Sequence, residues 1–384
     1  MSGKNYPLHI LPKNEEILSL ITQYPSGVTF LSCNYPPKDL KSLFVIIELP
    51  NKFGFLTTQQ KANNIPENEA LEEKLGLSVI KSPFSLENVG GAEALKKYTK
   101  QLLAAEKEGF RAKGIFLVGI PGTGKTFFPK CFAGETKRLL IQLNLSMMLE
   151  TDEPIRTLNK VFEFLSKRKE LYPDDKYVIL IDEIEKMIGN ASPAEKRMLG
   201  RLLTVLNDIN TEASEYDFNA IFFATANDLG TILENNPEFL RRGRWDELFF
   251  INLPTNEYAI EIFNIYIKKF KLQNIFNNII SLETIMAEIE SKYSQFNNIS
   301  NRFPYTAAEI ENLCKRMDFI CKANSDMVKS LFPLKEEKNE EEQAQIEFLK
   351  KEFLECVEMI IPVCKTAQKG VSMMAGQKEL FIEI

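Results

Sequence analysis

The chain has 384 residues, 44% apolar and 26% charged, with a net charge of −6. That composition fits a globular protein with room for two or three cores and disfavours a standing nucleic-acid surface, which is ordinarily basic. Its one histidine, His9, excludes an H-E-x-x-H zinc site and leaves no convincing Ser-His-Asp triad, because each needs a histidine placed beside its chemistry.

Residues 1–80 read as a small α+β region of unknown role. A short helix is expected in "NEEILSLITQ" and strands in "VTFLSC" and "LFVIIELP", which are β-branched or aromatic runs bounded by Pro, Ser and Asn. "QQKANNIPENEALEEKLG" is polar and expected to be exposed. Alternation begins after "SLENVGGAEALKKY". Strand Ile115–Val118 leads to a helix around Lys125–Ala133, and strand "LLIQLNL" to a helix opened by "TDEP". In that helix Pro154 takes the first position and Thr151 or Asp152 the cap. "YVILI", helix "EKRMLGRLLTVLNDI", "NAIFFATAN" and "ELFFINL" follow. Near-continuous apolar strands alternating with helices imply a parallel sheet covered on both faces, spanning residues 81–254. No strand is expected after "LPTN": residues 255–384 read as an all-α lid and C-terminal helices. The acidic run Glu336–Glu342 is expected to be a solvated helix start or linker rather than a binding tract. No apolar run reaches the roughly 20 residues of a bilayer span, and the first residues lack a signal-peptide core. The six cysteines form no C-x-x-C pair, so reduced thiols and a cytoplasmic location are expected.

The chemistry sits at strand ends. "GIPGTGKT", Gly119 to Thr126, matches G-x-x-x-x-G-K-[ST]. Such glycines turn backbone N–H groups around phosphate oxygens, and the next helix adds its positive end. Lys125 would reach the β and γ phosphates of ATP, and the Thr126 hydroxyl would ligate Mg²⁺. In "YVILIDEIEK", Asp182 and Glu183 end a buried strand, where open α/β sheets bind ligands. Asp182 suits Mg²⁺ and Glu183 suits a general base for water. Asn227, ending "IFFATAND", could orient that water, although Asn is also a common turn residue. Arg241, Arg242 and Arg244 cluster in "LRRGRWDE". They form a basic surface turn, a phosphate-contact patch for nucleic acid, or arginines offered to another subunit's phosphoryl group, which are worth about 10³–10⁵ in rate.

In this order and spacing, "GIPGTGKT", "VILIDEIEK", "FFATAND" and "PEFLRRGRWDELFFINLP" resemble the AAA+ ATPases. They are most similar to the poorly characterised members encoded by cyanobacterial and plastid genomes. The resemblance covers about residues 82 to 325. It implies a P-loop α/β domain with a helical lid and a nucleotide set of Gly119, Pro121, Gly122, Thr123, Gly124, Lys125, Thr126 and Phe127. Val89, Gly90 and Gly91 would lie near adenine. Thr126 and Asp182 would hold Mg²⁺, and Glu183, Asn227 and the trans arginines Arg241 and Arg244 would be catalytic. Trans arginines imply a homo-oligomeric ring, usually of six, that remodels a protein or assembly. The alternatives are a slow nucleotide-gated assembly module and a DNA-associated ATPase. No membrane partner is expected.

Three departures from the family pattern stand out. "LSMMLETDEP" lacks the aromatic–aliphatic–Gly loop that grips substrate in many unfoldases, so Met147, Met148 and Leu149 either bind adaptively or pack into the core. Thr306 and Ala307 replace the usual Ser-Gly of the lid motif, which leaves lid coupling to backbone and apolar contacts. Pro129 falls just after Lys125, where an interior proline costs up to about 3 kcal/mol, so a bent or distorted helix start is expected.

Overall fold

A computed structural model of the chain describes residues 6–7, 29–32, 44–49 and 52–57 as backbone strands. It also describes residues 77–384 apart from 190, 210, 212–213, 242, 298, 300, 333–338, 369 and 371–380. The chain divides into two compact units, Met1–Lys74 and Leu75–Ile384. The first carries strands β1 (Tyr6–Pro7), β2 (Thr29–Ser32), β3 (Phe44–Leu49) and β4 (Lys52–Thr57) in the order β1-β2-β4-β3. The two strands expected in this region fall on β2 and β3. The expected helix, His9, Cys33 and the polar stretch 59–76 lie outside the described residues.

The second unit is built on a sheet of β5 (Leu77–Lys81), β6 (Gly114–Gly119), β7 (Leu139–Leu143), β8 (Lys176–Ile181), β9 (Asn219–Ala226), β10 (Glu247–Ile251) and β11 (Ile382–Glu383). Its order is β11-β10-β6-β9-β8-β7-β5, and every pairing is parallel except β5 with β7. The strand period of two explains why the runs are apolar throughout. Ile115, Leu117, Val178, Leu180, Ile221 and Phe223 share one core with α1 (Glu93–Lys107) and α2 (Phe127–Glu135). Phe116, Val118, Tyr177, Ile179, Ile181 and Phe222 belong to another core. Packed there are α4 (Pro154–Leu171) and α5 (Pro193–Asp208), with the short α3 (Leu145–Leu149) before them and α6 (Leu229–Asn235) after.

A separate helical core follows. It draws on α7 (Asn256–Lys269), α8 (Gln273–Asn278), α9 (Leu282–Tyr293), α10 (Ala307–Ala323), α11 (Ser325–Leu331) and α12 (Glu340–Met359), with α13 (Val363–Thr366) beyond them. The acidic run ends as α12's first turn, capped by Asn339. No helix among the described residues is long and apolar enough to cross a membrane.

Three expectations are corrected. The region after "LPTN" does contain a strand: β11 returns to pair with β10, carried by backbone bonds from Ile384 N to Phe250 O (2.9 Å) and from Asn252 N to Ile384 O (3.1 Å). Helix α4 is capped by Glu153 without a side-chain bond; Thr151 Oγ1 instead donates to Met148 O at 2.7 Å. Helix α2 runs regularly through Pro129, its third residue. Groups in a first turn have no intrahelical acceptor to lose, so no bend follows. The accommodation lies upstream, where Phe127 N and Phe128 N both donate to Gly124 O, at 3.0 and 2.9 Å.

Candidate active site

The loop between β6 and α2 is shaped by close approach and by turn conformation. A Cβ on Gly119 would stand 2.1 Å from the Ile251 carbonyl oxygen, so only glycine fits between β6 and β10. Gly122 and Gly124 take φ of +83° and +92°, the turn conformation that aims N–H groups inward. Thr123 Oγ1 donates to Ile120 O at 2.7 Å; Pro121 is exposed. Phe127 packs edge-on against Phe84, which ties the loop to the segment before α1.

Lys125 is buried, and its Nζ donates to Gly119 O at 2.8 Å and Ile120 O at 2.7 Å. Burial pushes its pKa down to about 8, against the pull of Glu185, Asp182 and Glu183. A buried ammonium that, among the described residues, bonds neutral carbonyls suits an anion such as a phosphate.

Opposite the loop, Asp182 and Glu183 leave the end of β8. Asp182 Oδ1 accepts from Thr126 Oγ1 at 2.8 Å and from Thr225 Oγ1. Glu183 sits in the left-handed region, φ +54°. Its N–H donates to Thr225 Oγ1 at 3.0 Å, and its carboxylate pairs with Lys186. Asn227 Nδ2 lies 3.4 Å from Glu183 Oε1, and Asn227 N donates to Glu185 Oε1 at 3.0 Å. The loop, the two acids and the asparagine therefore converge on one end of the sheet.

Hard oxygens from Thr126 and Asp182, already adjacent, suit Mg²⁺, which takes one or two protein ligands and completes its shell with water and phosphate. Among the described residues no group of three or more His, Cys, Asp or Glu could hold a metal, so the fit is to that sparse mode.

Residues 115–253 match the family model "ATPase family associated with various cellular activities (AAA)". These residues form an AAA domain, the P-loop domain of a family of ATP hydrolases. Among curated relatives, an uncharacterized AAA domain-containing protein ycf46 of Gracilaria tenuistipitata var. liui is 29% identical over 60% of this chain and 48% of its own length. The ycf46 protein of Pyropia yezoensis is 25% identical over 83% of this chain and 64% of its own. A proteasome-activating nucleotidase of Saccharolobus islandicus is 29% identical over 65% and 60%. The chain thus spans about half the length of the first two ycf46 relatives it matches. The FIGL-1 AAA domain shares the fold, with a TM-score of 0.54 and 18% identity over 82% of this chain and 95% of that one.

The remaining candidate residues around this AAA domain fall in two places. Val89, Gly90 and Gly91 lie between α1 and the lid. Gly91 N donates to Glu261 Oε2 at 2.7 Å, and a Cβ on Gly90 would meet Ile262 at 2.6 Å. Helix α10 reaches the loop itself: Thr306 caps it in a capping box with Glu309, and Ala308 N donates to Gly122 O at 3.0 Å. A backbone bond therefore joins loop to lid where the motif departs from Ser-Gly.

The arginine turn makes no hydrogen bond or ion pair to the loop–acid cluster among the described residues. Arg241 is exposed. Arg244 is bound within its own turn, to the carbonyl of Glu238 and, at 3.8 Å, to its carboxylate. Arg242 lies outside the described residues. In α3, Met148 is buried and Met147 is 38% exposed, so the two methionines divide between core and surface.

Sequence reasoning missed Thr225, 1% exposed, whose hydroxyl joins Asp182 to the backbone of Glu183. A lone hydroxyl in the otherwise apolar "IFFATA" was the available signal. It also missed Glu185 and Lys186, which stand in plain view in "DEIEK".

Proposed function

We propose that the protein hydrolyses ATP with Mg²⁺ at an interface between copies of itself and uses the cycle to remodel a protein or macromolecular assembly. The observation that carries this reading is the convergence of the buried Lys125 with the Thr126–Asp182 pair and the Glu183–Asn227 pair. Water attacks the γ-phosphorus in line, the bond to the β–γ bridging oxygen breaks, and Glu183 accepts the water proton, giving ADP and phosphate. Asn227 orients the water, and Lys125 balances phosphate charge. Mg²⁺, held by Thr126 and Asp182, would neutralise charge on the β and γ oxygens. Arg241, exposed and without a side-chain partner among the described residues, is suited to reach a neighbour's site; Arg244 would shape the turn that presents it. Ring assembly, hexameric by analogy with the family, belongs to the same proposal.

A second reading, a slow nucleotide-gated assembly module, is favoured by one contact: Lys186 occupies the carboxylate of Glu183. Steady-state ATPase rate against protein concentration separates the two. A rate per subunit that climbs with concentration and vanishes in Glu183→Gln and Arg241→Ala supports the ring-dependent hydrolase. A flat, near-zero rate with tight ATP binding supports the assembly module.

A further inference from the structure

We infer that Glu185 is a positioning residue: it holds the backbone of Asn227 so that the Asn227 amide faces Glu183. The inference rests on the reading of Glu183 and Asn227 as the pair that activates water.

Glu185 lies in the 3₁₀ turn Ile184–Met187, whose first and last residues are buried in the core beside β8. That packing fixes the turn against the sheet. Strand β9 ends at Ala226, and its ladder with β6 closes at the Val118–Ala226 pair. The N–H of Asn227 is thus the first donor beyond the ladder, and a buried N–H without an acceptor is costly. Glu185 Oε1 accepts it at 3.0 Å. Two residues earlier in each segment, the Glu183 N–H donates to the Thr225 hydroxyl at 3.0 Å. The acidic turn and the end of β9 are therefore fastened at two points, and the Asn227 side chain projects from the second.

What the fastening sets is a marginal distance. Asn227 Nδ2 is 3.4 Å from Glu183 Oε1, the far end of the hydrogen-bonding range. A backbone shift of a few tenths of an ångström breaks or tightens it. Retaining a carboxylate here is expensive for the fold. Among the described residues Glu185 Oε2 is buried with no hydrogen-bond partner, and burial raises the proton affinity of the group against the Asn227 bond. Packing alone would be served by an apolar side chain of equal volume. The acceptor is what an apolar side chain lacks.

The test is a comparison of Glu185→Met, which keeps volume and removes the acceptor, with Glu185→Gln, which keeps the acceptor and removes the charge. Both are measured for kcat, for KM of ATP and for nucleotide affinity, alone and combined with Asn227→Ala. Expected are a fall of about 10- to 100-fold in kcat for Glu185→Met at unchanged KM, recovery of most of that loss in Glu185→Gln, and no further loss when Glu185→Met is added to Asn227→Ala. Full activity in Glu185→Met, or a loss that multiplies with that of Asn227→Ala, overturns the positioning role while leaving Glu183 and Asn227 in place. If Glu183→Gln and Asn227→Ala both keep wild-type kcat, the reading of the pair fails first and the inference falls with it.

Discussion

Lys125 shows how one side chain carries a cost that its ligand can relieve. Its ammonium is buried among neutral carbonyls, and burial depresses its pKa to about 8. Below that value the group is charged in the folded protein and available to phosphate; above it the folded protein sheds the proton. A polyphosphate brings negative charge to Nζ and favours the charged form, so binding above pH 8 must take up a proton. Affinity for ADP or a non-hydrolysable ATP analogue is therefore expected to fall as pH rises from 7 to 9, by up to about tenfold per unit beyond the pKa. Binding heats at pH 8.5 should depend on the ionisation enthalpy of the buffer. Calorimetry reads both. Lys125→Arg, charged throughout, should bind more weakly but with a flat profile, and a flat profile in the wild type would mean that Lys125 stays protonated in its pocket. The identity of this lysine was legible in "GKT"; its depressed pKa was not, because that follows from how completely the fold buries its side chain.

Helix α2 makes the corresponding argument about elements. Its sequence reads badly, with Pro129 near the start and Gly134 near the end, yet the helix is regular from Phe127 to Glu135. Pro129 occupies a turn that has no bond to lose. Gly134 is there because a Cβ would lie 1.8 Å from the backbone carbonyl oxygen of Phe84. Propensity alone says that Gly134→Ala should stabilise the helix by about 1 kcal/mol. The contact says the reverse, since a backbone carbonyl cannot rotate away as a side chain can, and overpacking typically costs about 1–3 kcal/mol. Denaturation of Gly134→Ala should show a net loss of stability, and a gain would mean that the Phe84 segment moves aside freely. The strands and the longer helices from β6 to β10 could be read from the sequence because periodicity is local there, whereas the short α3 and α6 were not read. The loop glycines were legible too, as were Asp182 and Glu183, which lie at a strand end that any parallel sheet must have. Pro129, the cap of α4 and strand β11 were misread because each depends on what packs beside it. Nothing within a few residues of Ile382 and Glu383 marks them as a strand; the vacant edge of β10 does.

That returning strand also binds together parts of the chain that sequence keeps far apart. Glu383 Oε1 accepts from Asn252 Nδ2 at 2.7 Å and from Arg302 Nη2 at 2.8 Å, while Arg302 Nη1 donates to Leu253 O at 2.8 Å. One carboxylate thus fastens the exit from β10, the segment leading into lid helix α10, and β11. The arginine is only 15% exposed at its side chain, so removing its acceptor leaves a largely desolvated charge with a single carbonyl partner. Charge-assisted bonds of this kind are worth about 1.5–3 kcal/mol when buried, and the partial exposure of Glu383 reduces that toward 1–2 kcal/mol. Glu383→Ala should therefore lower the melting temperature by roughly 2–6 °C. Glu383→Gln keeps an oxygen for both donors and should lower it much less. Because the clasp spans sheet and lid, a loosened clasp should also increase amide exchange at both Asn252–Leu253 and the start of α10. Equal melting temperatures for wild type and Glu383→Ala would mean that the backbone pairing of β10 with β11 holds sheet and lid together without the charged clasp.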